Sequence, residues 1–139
     1  MAVVVYDTDV ASGAIRRRLA PAVVARIAAH TPCVTFVTVA ELTEWGHVRN
    51  WSQRSLLGID AWLVRVPKVW CEEGIARAWG RLSAATRRAG RPRPVNDMWN
   101  AACCIALHLP LATFNVKDYQ DFAEHEGLQL LSLGQEPIV

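Results

Sequence analysis

Residues 94–122, PVNDMWNAACCIALHLPLATFNVKDYQDF, decide how this chain folds. Pro94 imposes an extended approach and Asn96 is a favourable N-cap. The residues that follow are nearly all apolar as far as Leu109, which predicts a helix from about Asp97 that is buried on most sides. Asp97 falls in its first turn. Pro110 ends the helix, Leu111 to Phe114 reads as a short core strand, and Asn115 as a turn residue, with Asp118 just beyond. In α/β folds with a parallel sheet, ligands bind beyond the carboxyl ends of the strands. One carboxylate opening a buried helix and another following a buried strand therefore mark where a site is expected.

Working outward, Ala2 to Tyr6 is a valine-rich run with the look of a buried central strand, and Asp7 stands at its carboxyl end. Val10–Leu19 and Pro21–His30 read as two helices broken at Pro21. A second strand is expected over Val34–Val37. Thr38 and Glu41 then have the spacing of a capping box, opening a helix that runs to Gly46. Ser52 to about Leu63 predicts a further helix, Leu63–Val66 a third strand stopped by Pro67, and Trp70–Arg88 a long helix ended by Gly90. On this pattern Trp70, Ile75, Ala78, Trp79 and Leu82 form the apolar side of the long helix. Leu128–Leu133 reads as the last strand. Strands separated by helices, with no internal repeat or linker, predict one layered α/β domain over residues 1–139, with its core at about 2–133 and a short polar tail.

Composition agrees. A chain of 139 residues with 52% hydrophobic residues is the size of one domain with an ordinary core. No apolar run is long enough to span a bilayer, and the amino terminus lacks the pattern of a secretory signal, so a cytoplasmic protein is expected. Cys33, Cys71, Cys103 and Cys104 form no C-x-x-C pair and read as reduced core thiols. His30, His47, His108 and His125 are never at metal-ligand spacing, which argues against zinc. The net charge of +2 is small, but arginines cluster at Arg16–Arg18 and at Arg87, Arg88, Arg91 and Arg93. Six tryptophans are many for this length and are expected mostly in the core.

Four acids fall at comparable places: Asp7 after the first strand, Glu41 after the second, Asp97 opening a helix, and Asp118 after the fourth strand. Singly, each has a structural explanation as a cap or as an acid favoured by a helix dipole. Together, carboxylates converging at one sheet edge repel one another, an arrangement retained chiefly where a cation binds. Carboxylates without cysteine or histidine select the hard ions Mg²⁺ or Mn²⁺, whose common use is phosphodiester hydrolysis. The arginines at 87, 88, 91 and 93, just upstream of Asp97, are then candidates to hold the phosphates of a nucleic-acid backbone.

The segments VVVYDTDVAS, VTVAELTEWG, NDMWNAA and LATFNVKDY resemble, in order and spacing, the signature segments of the PIN-domain ribonucleases, most closely the VapC-type toxins of type II toxin–antitoxin systems. The resemblance covers nearly the whole chain. It implies a five-stranded parallel β-sheet flanked by helices, Mg²⁺- or Mn²⁺-dependent endoribonuclease activity, and inhibition by a cognate antitoxin. It further implies a homodimer, forming a heterotetramer or larger assembly with that antitoxin. The family's acidic site falls on Asp7, Glu41, Asp97 and Asp118, supported by Thr8, Thr113 and Asn115. Two positions depart from the family pattern. Asp9 stands where asparagine is frequent, and reads as a cap for the next helix or a weak ligand. Phe114 stands where arginine is common, which removes a phosphate contact. Trp45 and Trp51 flank the polar segment after the Glu41 helix and are candidate antitoxin anchors.

Two other classes compete. A PIN-like module that binds RNA or protein with little or no cleavage is disfavoured by the presence of all four acids. A phosphoacceptor signalling domain needs an aspartate after the third strand, where the expected strand end, Arg65-Val66-Pro67, has none.

Overall fold

The computed structural model describes residues 2–134; the expected tail beyond them lies outside the described residues. Valine-rich β1 (Ala2–Tyr6) forms the middle of a five-stranded, all-parallel sheet of order β3-β2-β1-β4-β5, with β2 at His30–Thr35, β3 at Lys68–Val69, β4 at Leu111–Thr113 and β5 at Leu130–Ser132. Side chains alternate across a strand, and β1 shows the consequence. Val4 and Tyr6 face one core with α1 (Thr8–Ile15), α2 (Pro21–Ile27), α3 (Phe36–Val48) and α4 (Gln53–Arg65). Val5 faces the other, with α5 (Glu73–Arg88), α6 (Val95–Leu107) and α7 (Val116–His125). The sheet is therefore covered on both sides, which is why its strands read as continuous apolar runs. The order also excludes a phosphoacceptor domain, whose sheet runs 2-1-3-4-5.

Several boundaries differ from the expectation. Strand β2 begins at His30 and carries Pro32 within it; Pro32 pairs in register with Val4. Thr35, not Thr38, caps α3, its hydroxyl accepting from the Val37 amide at 3.2 Å. The capping box is thus absent, and Glu41 lies inside the helix with its side chain turned elsewhere. The third strand is not Leu63–Val66: α4 runs on to Arg65, because the apolar residues there continue its helical stripe, and Pro67 stops a helix rather than a strand. Only Lys68 and Val69 pair beyond it. Helix α5 starts at Glu73, leaving Trp70 exposed before it, while Ile75, Ala78 and Leu82 are buried as expected. Helix α6 starts at Val95 with Pro94 as its cap, so Asn96 is inside the first turn. None of the tryptophans is fully buried; Trp45, Trp51, Trp62, Trp79 and Trp99 are half-buried against the two cores. Cys33, Cys103 and Cys104 are buried, Cys71 is exposed, and all four are free thiols. Among the described residues no helix is long and apolar enough to cross a membrane.

Candidate active site

The strand order reverses direction about β1, whose neighbours are β2 on one side and β4 on the other. That is the switch point where a ligand crevice opens in such sheets. Asp7 leaves β1 there as the N-cap of α1, and Thr113 ends β4 beside it. The Asp7 carboxylate is buried and fully engaged. Its Oδ1 accepts from the Thr8 amide at 3.0 Å, from Asn100 Nδ2 at 3.3 Å and from the Tyr119 hydroxyl at 3.4 Å. Its Oδ2 accepts from the Thr113 hydroxyl at 3.0 Å. Thr113 Oγ1 in turn accepts from the Asn115 amide at 2.9 Å.

Asn100 is aimed by a second layer of contacts. The buried Thr35 hydroxyl donates to its Oδ1 at 2.6 Å, leaving the amide nitrogen pointed at Asp7. Across the crevice the Thr8 hydroxyl donates to Glu41 Oε1 at 2.7 Å and lies 3.0 Å from the Thr38 hydroxyl, tying the first turns of α1 and α3 together. Asp97, half-buried in the first turn of α6, shares the Tyr119 hydroxyl, which is 3.2 Å from its Oδ1. Asp118 lies exposed in the first turn of α7. Asp9 is in the first turn of α1 and accepts from Asn115 Nδ2 at 3.5 Å; it does not cap the helix, since Asp7 does.

The electrostatics follow from this crowding. Burial, with the nearby charges of Asp97 and Asp9, pushes the Asp7 carboxyl up to about 6, against the pull of its hydrogen bonds from Thr113 and Thr8. Burial also raises Asp97, with Asp118 and Glu41 adding to the effect. The four acids thus feel one another across one crevice. An all-oxygen, net-negative donor set of this kind suits a hard divalent cation, which would relieve the repulsion. As the side chains are set, however, no three acid, histidine or cysteine groups among the described residues stand close enough to form a ligand group. The donor set fits such an ion in kind.

Thr35, Asn100 and Tyr119 were not among the expected site residues. Asn100 had a readable signal, being a lone amide three positions after Asp97 in an otherwise apolar helix. Tyr119 had none, because an aromatic residue at that place is indistinguishable from core. Of the arginine group, Arg93 pairs with Asp121 at 2.6 Å and Arg91 with the same carboxylate at 3.5 Å, while Arg87 and Arg88 are exposed at the end of α5. Phe114 is buried in the core. Trp45 and Trp51 each carry a guanidinium over the ring, Arg49 at 4.1 Å and Arg16 at 4.6 Å.

Strand order and acidic crevice together define a PIN-like domain. No family model matches the chain. It is 30% identical over 87 residues to "Ribonuclease VapC1" of Haemophilus influenzae, a match covering 63% of this chain and 65% of that protein, a little under two thirds of its length. Its fold superposes on VapBC-1 from nontypeable Haemophilus influenzae with a TM-score of 0.78 at 25% identity, over 94% of this chain and 98% of that one. VapBC-5 from Mycobacterium tuberculosis, described as a member of a family of toxin–antitoxin systems, shares the fold at a TM-score of 0.72 and 23% identity, over 95% and 99% of the two chains. In sequence and fold this chain is thus similar to proteins of the VapC type.

Proposed function

We propose that the protein is a metal-dependent endoribonuclease, the toxin of a type II toxin–antitoxin pair, cutting RNA phosphodiester bonds in the cytoplasm. The observation that supports this best is the buried Asp7 carboxylate, pushed up to about 6 among three further acids at the sheet's switch point. Asp7, Glu41, Asp97 and Asp118 would hold Mg²⁺ or Mn²⁺. When bound, such an ion supplies an activated water and stabilises charge on the phosphodiester oxygens.

The chain's own part is to bind and orient. Thr113 and the Thr8 amide fix both oxygens of Asp7, and Asn100, itself held by Thr35, locks its plane. Thr8 restrains Glu41 and Asn115 restrains Asp9. Arg87 and Arg88, exposed at the end of α5, would meet phosphates, whereas Arg91 and Arg93 divide their charge with Asp121. A cognate antitoxin is the expected inhibitor, bound to a homodimer of this chain near Trp45 and Trp51. The proteins it resembles in fold include VapBC complexes.

A second reading, a PIN-like module that binds RNA or protein with little cleavage, draws on the absence of a closed three-acid group among the described residues. Incubating the purified protein with transfer, ribosomal and messenger RNAs separates the two. Cleavage that needs Mg²⁺ or Mn²⁺ and stops in chelator supports the nuclease; intact RNA under every condition supports the binding module.

A further inference from the structure

The arginines at 16–18, set apart in the sequence, are not used by the site described above. Helices α1 and α3 lie side by side and parallel. Thr8 in the first turn of α1 contacts Thr38 and Glu41 of α3, while at the other ends Arg16, the C-cap of α1, stacks on Trp51 just beyond α3. Arg49, the C-cap of α3, covers Trp45. The acids thus occupy one end of the helix pair and arginines the other, roughly 12 Å away along eight helical residues.

There Arg16, Arg17, Arg18 and Arg54 line a cavity of about 400 Å³ that has no carboxylate in its wall. Among the described residues neither they nor Arg49 make an ion pair. Partial burial holds Arg16 below its usual range, and Arg18 and Arg49 lower it further, a repulsion left unanswered by any acid. Arg17 also sits in the left-handed region, at φ 55°, which a side chain adopts at some cost.

We infer that this arginine cluster is a second nucleic-acid subsite, which grips the phosphate backbone of a single RNA strand a few nucleotides from the acidic crevice. It rests on RNA being the substrate as proposed above. Guanidinium groups stacked on indole rings are held flat with their edges outward, a geometry matched to phosphate oxygens. The same helix pair carries the arginines at one end and the acids at the other, so a polyanion bound at both would run along it. An acidic protein segment is the competing occupant. The cavity wall contains none of the exposed large apolar side chains that such a segment would use as anchors.

The test uses the full chain carrying Asp97→Asn, to suppress cutting, and a fluorescein-labelled single-stranded RNA followed by anisotropy over a salt series. Arg18→Ala with Arg54→Ala, both at exposed positions, should weaken binding about tenfold at low salt. It should also make the slope of log affinity against log salt shallower by about 1.4, at about 0.7 for each lost phosphate contact. Arg18→Lys with Arg54→Lys should keep the slope, since the charge remains. Equal melting temperatures establish that both variants are folded. Parent affinity and slope in the alanine variant overturn the inference, as does polyglutamate binding that needs these arginines when RNA binding does not. If RNA binds through the arginines but the parent protein never cuts it, the nuclease reading fails and the strand path stands. If the parent cuts RNA and the alanine variant binds like the parent, the strand path alone fails.

Discussion

The Tyr119 hydroxyl lies 3.2 Å from Oδ1 of Asp97, and the same oxygen is 3.4 Å from Oδ1 of Asp7. A phenol has one proton for two carboxylates, so it donates to one at a time and holds the pair at a fixed separation. Tyr119 is 1% exposed, which makes the arrangement part of the core as well as of the crevice.

Tyr119→Phe keeps the ring and removes only that restraint. Stability should change by less than about 1.5 kcal/mol, the usual worth of a single hydrogen bond. Mn²⁺ affinity, measured by titration calorimetry on the folded protein, should fall several-fold, and RNA cleavage should recover as Mn²⁺ is raised. Unchanged Mn²⁺ affinity would return Tyr119 to a packing role.

A pH dependence follows from Asp7. Its folded-state value, about 6, lies above its ordinary 3.8, so between these values the folded chain binds more protons than the unfolded one. The associated stability is fully present below about 3.8 and is lost as pH rises through 6. Over that window the loss is of order 3 kcal/mol. Asp7→Asn cannot titrate. In metal-free protein, denaturant unfolding should therefore show the parent losing stability relative to Asp7→Asn between about pH 4 and pH 7, whatever constant offset the amide introduces. Parallel pH profiles would contradict the buried-charge account.

For the arginines upstream of Asp97, Arg87→Ala with Arg88→Ala should lower RNA affinity and flatten its salt dependence, because both are exposed and neither is in an ion pair among the described residues. Arg93→Ala should act on the Asp121 carboxyl instead. That group is held below the usual range first by its hydrogen bond from Arg93, and its titration, followed by NMR, should move back up. An unchanged salt slope in the first variant would leave Arg87 and Arg88 as solvated helix-end residues.

How far the fold was readable depends on the kind of signal. Strand β1 was found to the residue because five consecutive apolar residues end at a charge, and α6 because a long apolar run ends at Pro110. Where two signals had the same composition, the reading failed. Leu63–Val66 suits a strand as well as a helix end, and only the stripe continuing through α4 decides for the helix. Thr38 and Glu41 have capping-box spacing, but Thr35 caps three residues earlier, and both side chains turn to Thr8, a partner more than 29 positions away. The four acids were legible because charge stands out at the edge of an apolar core. The neutral groups that orient them, Thr35, Asn100 and Tyr119, were not, since their roles lie in long-range hydrogen bonds that no local pattern records.

The central claim is that Asp97 serves a cation and its bound water, not the start of α6. Asp97→Asn keeps the shape and the hydrogen-bonding capacity at that position while removing a negative charge that Asp118 and Glu41 oppose. The deciding measurement compares parent and variant for RNA cleavage in Mg²⁺ or Mn²⁺, alongside their metal-free melting temperatures. The account predicts that cleavage is abolished while the melting temperature holds or rises. A variant that still cuts RNA at the parent rate, or one that fails to fold, would contradict it.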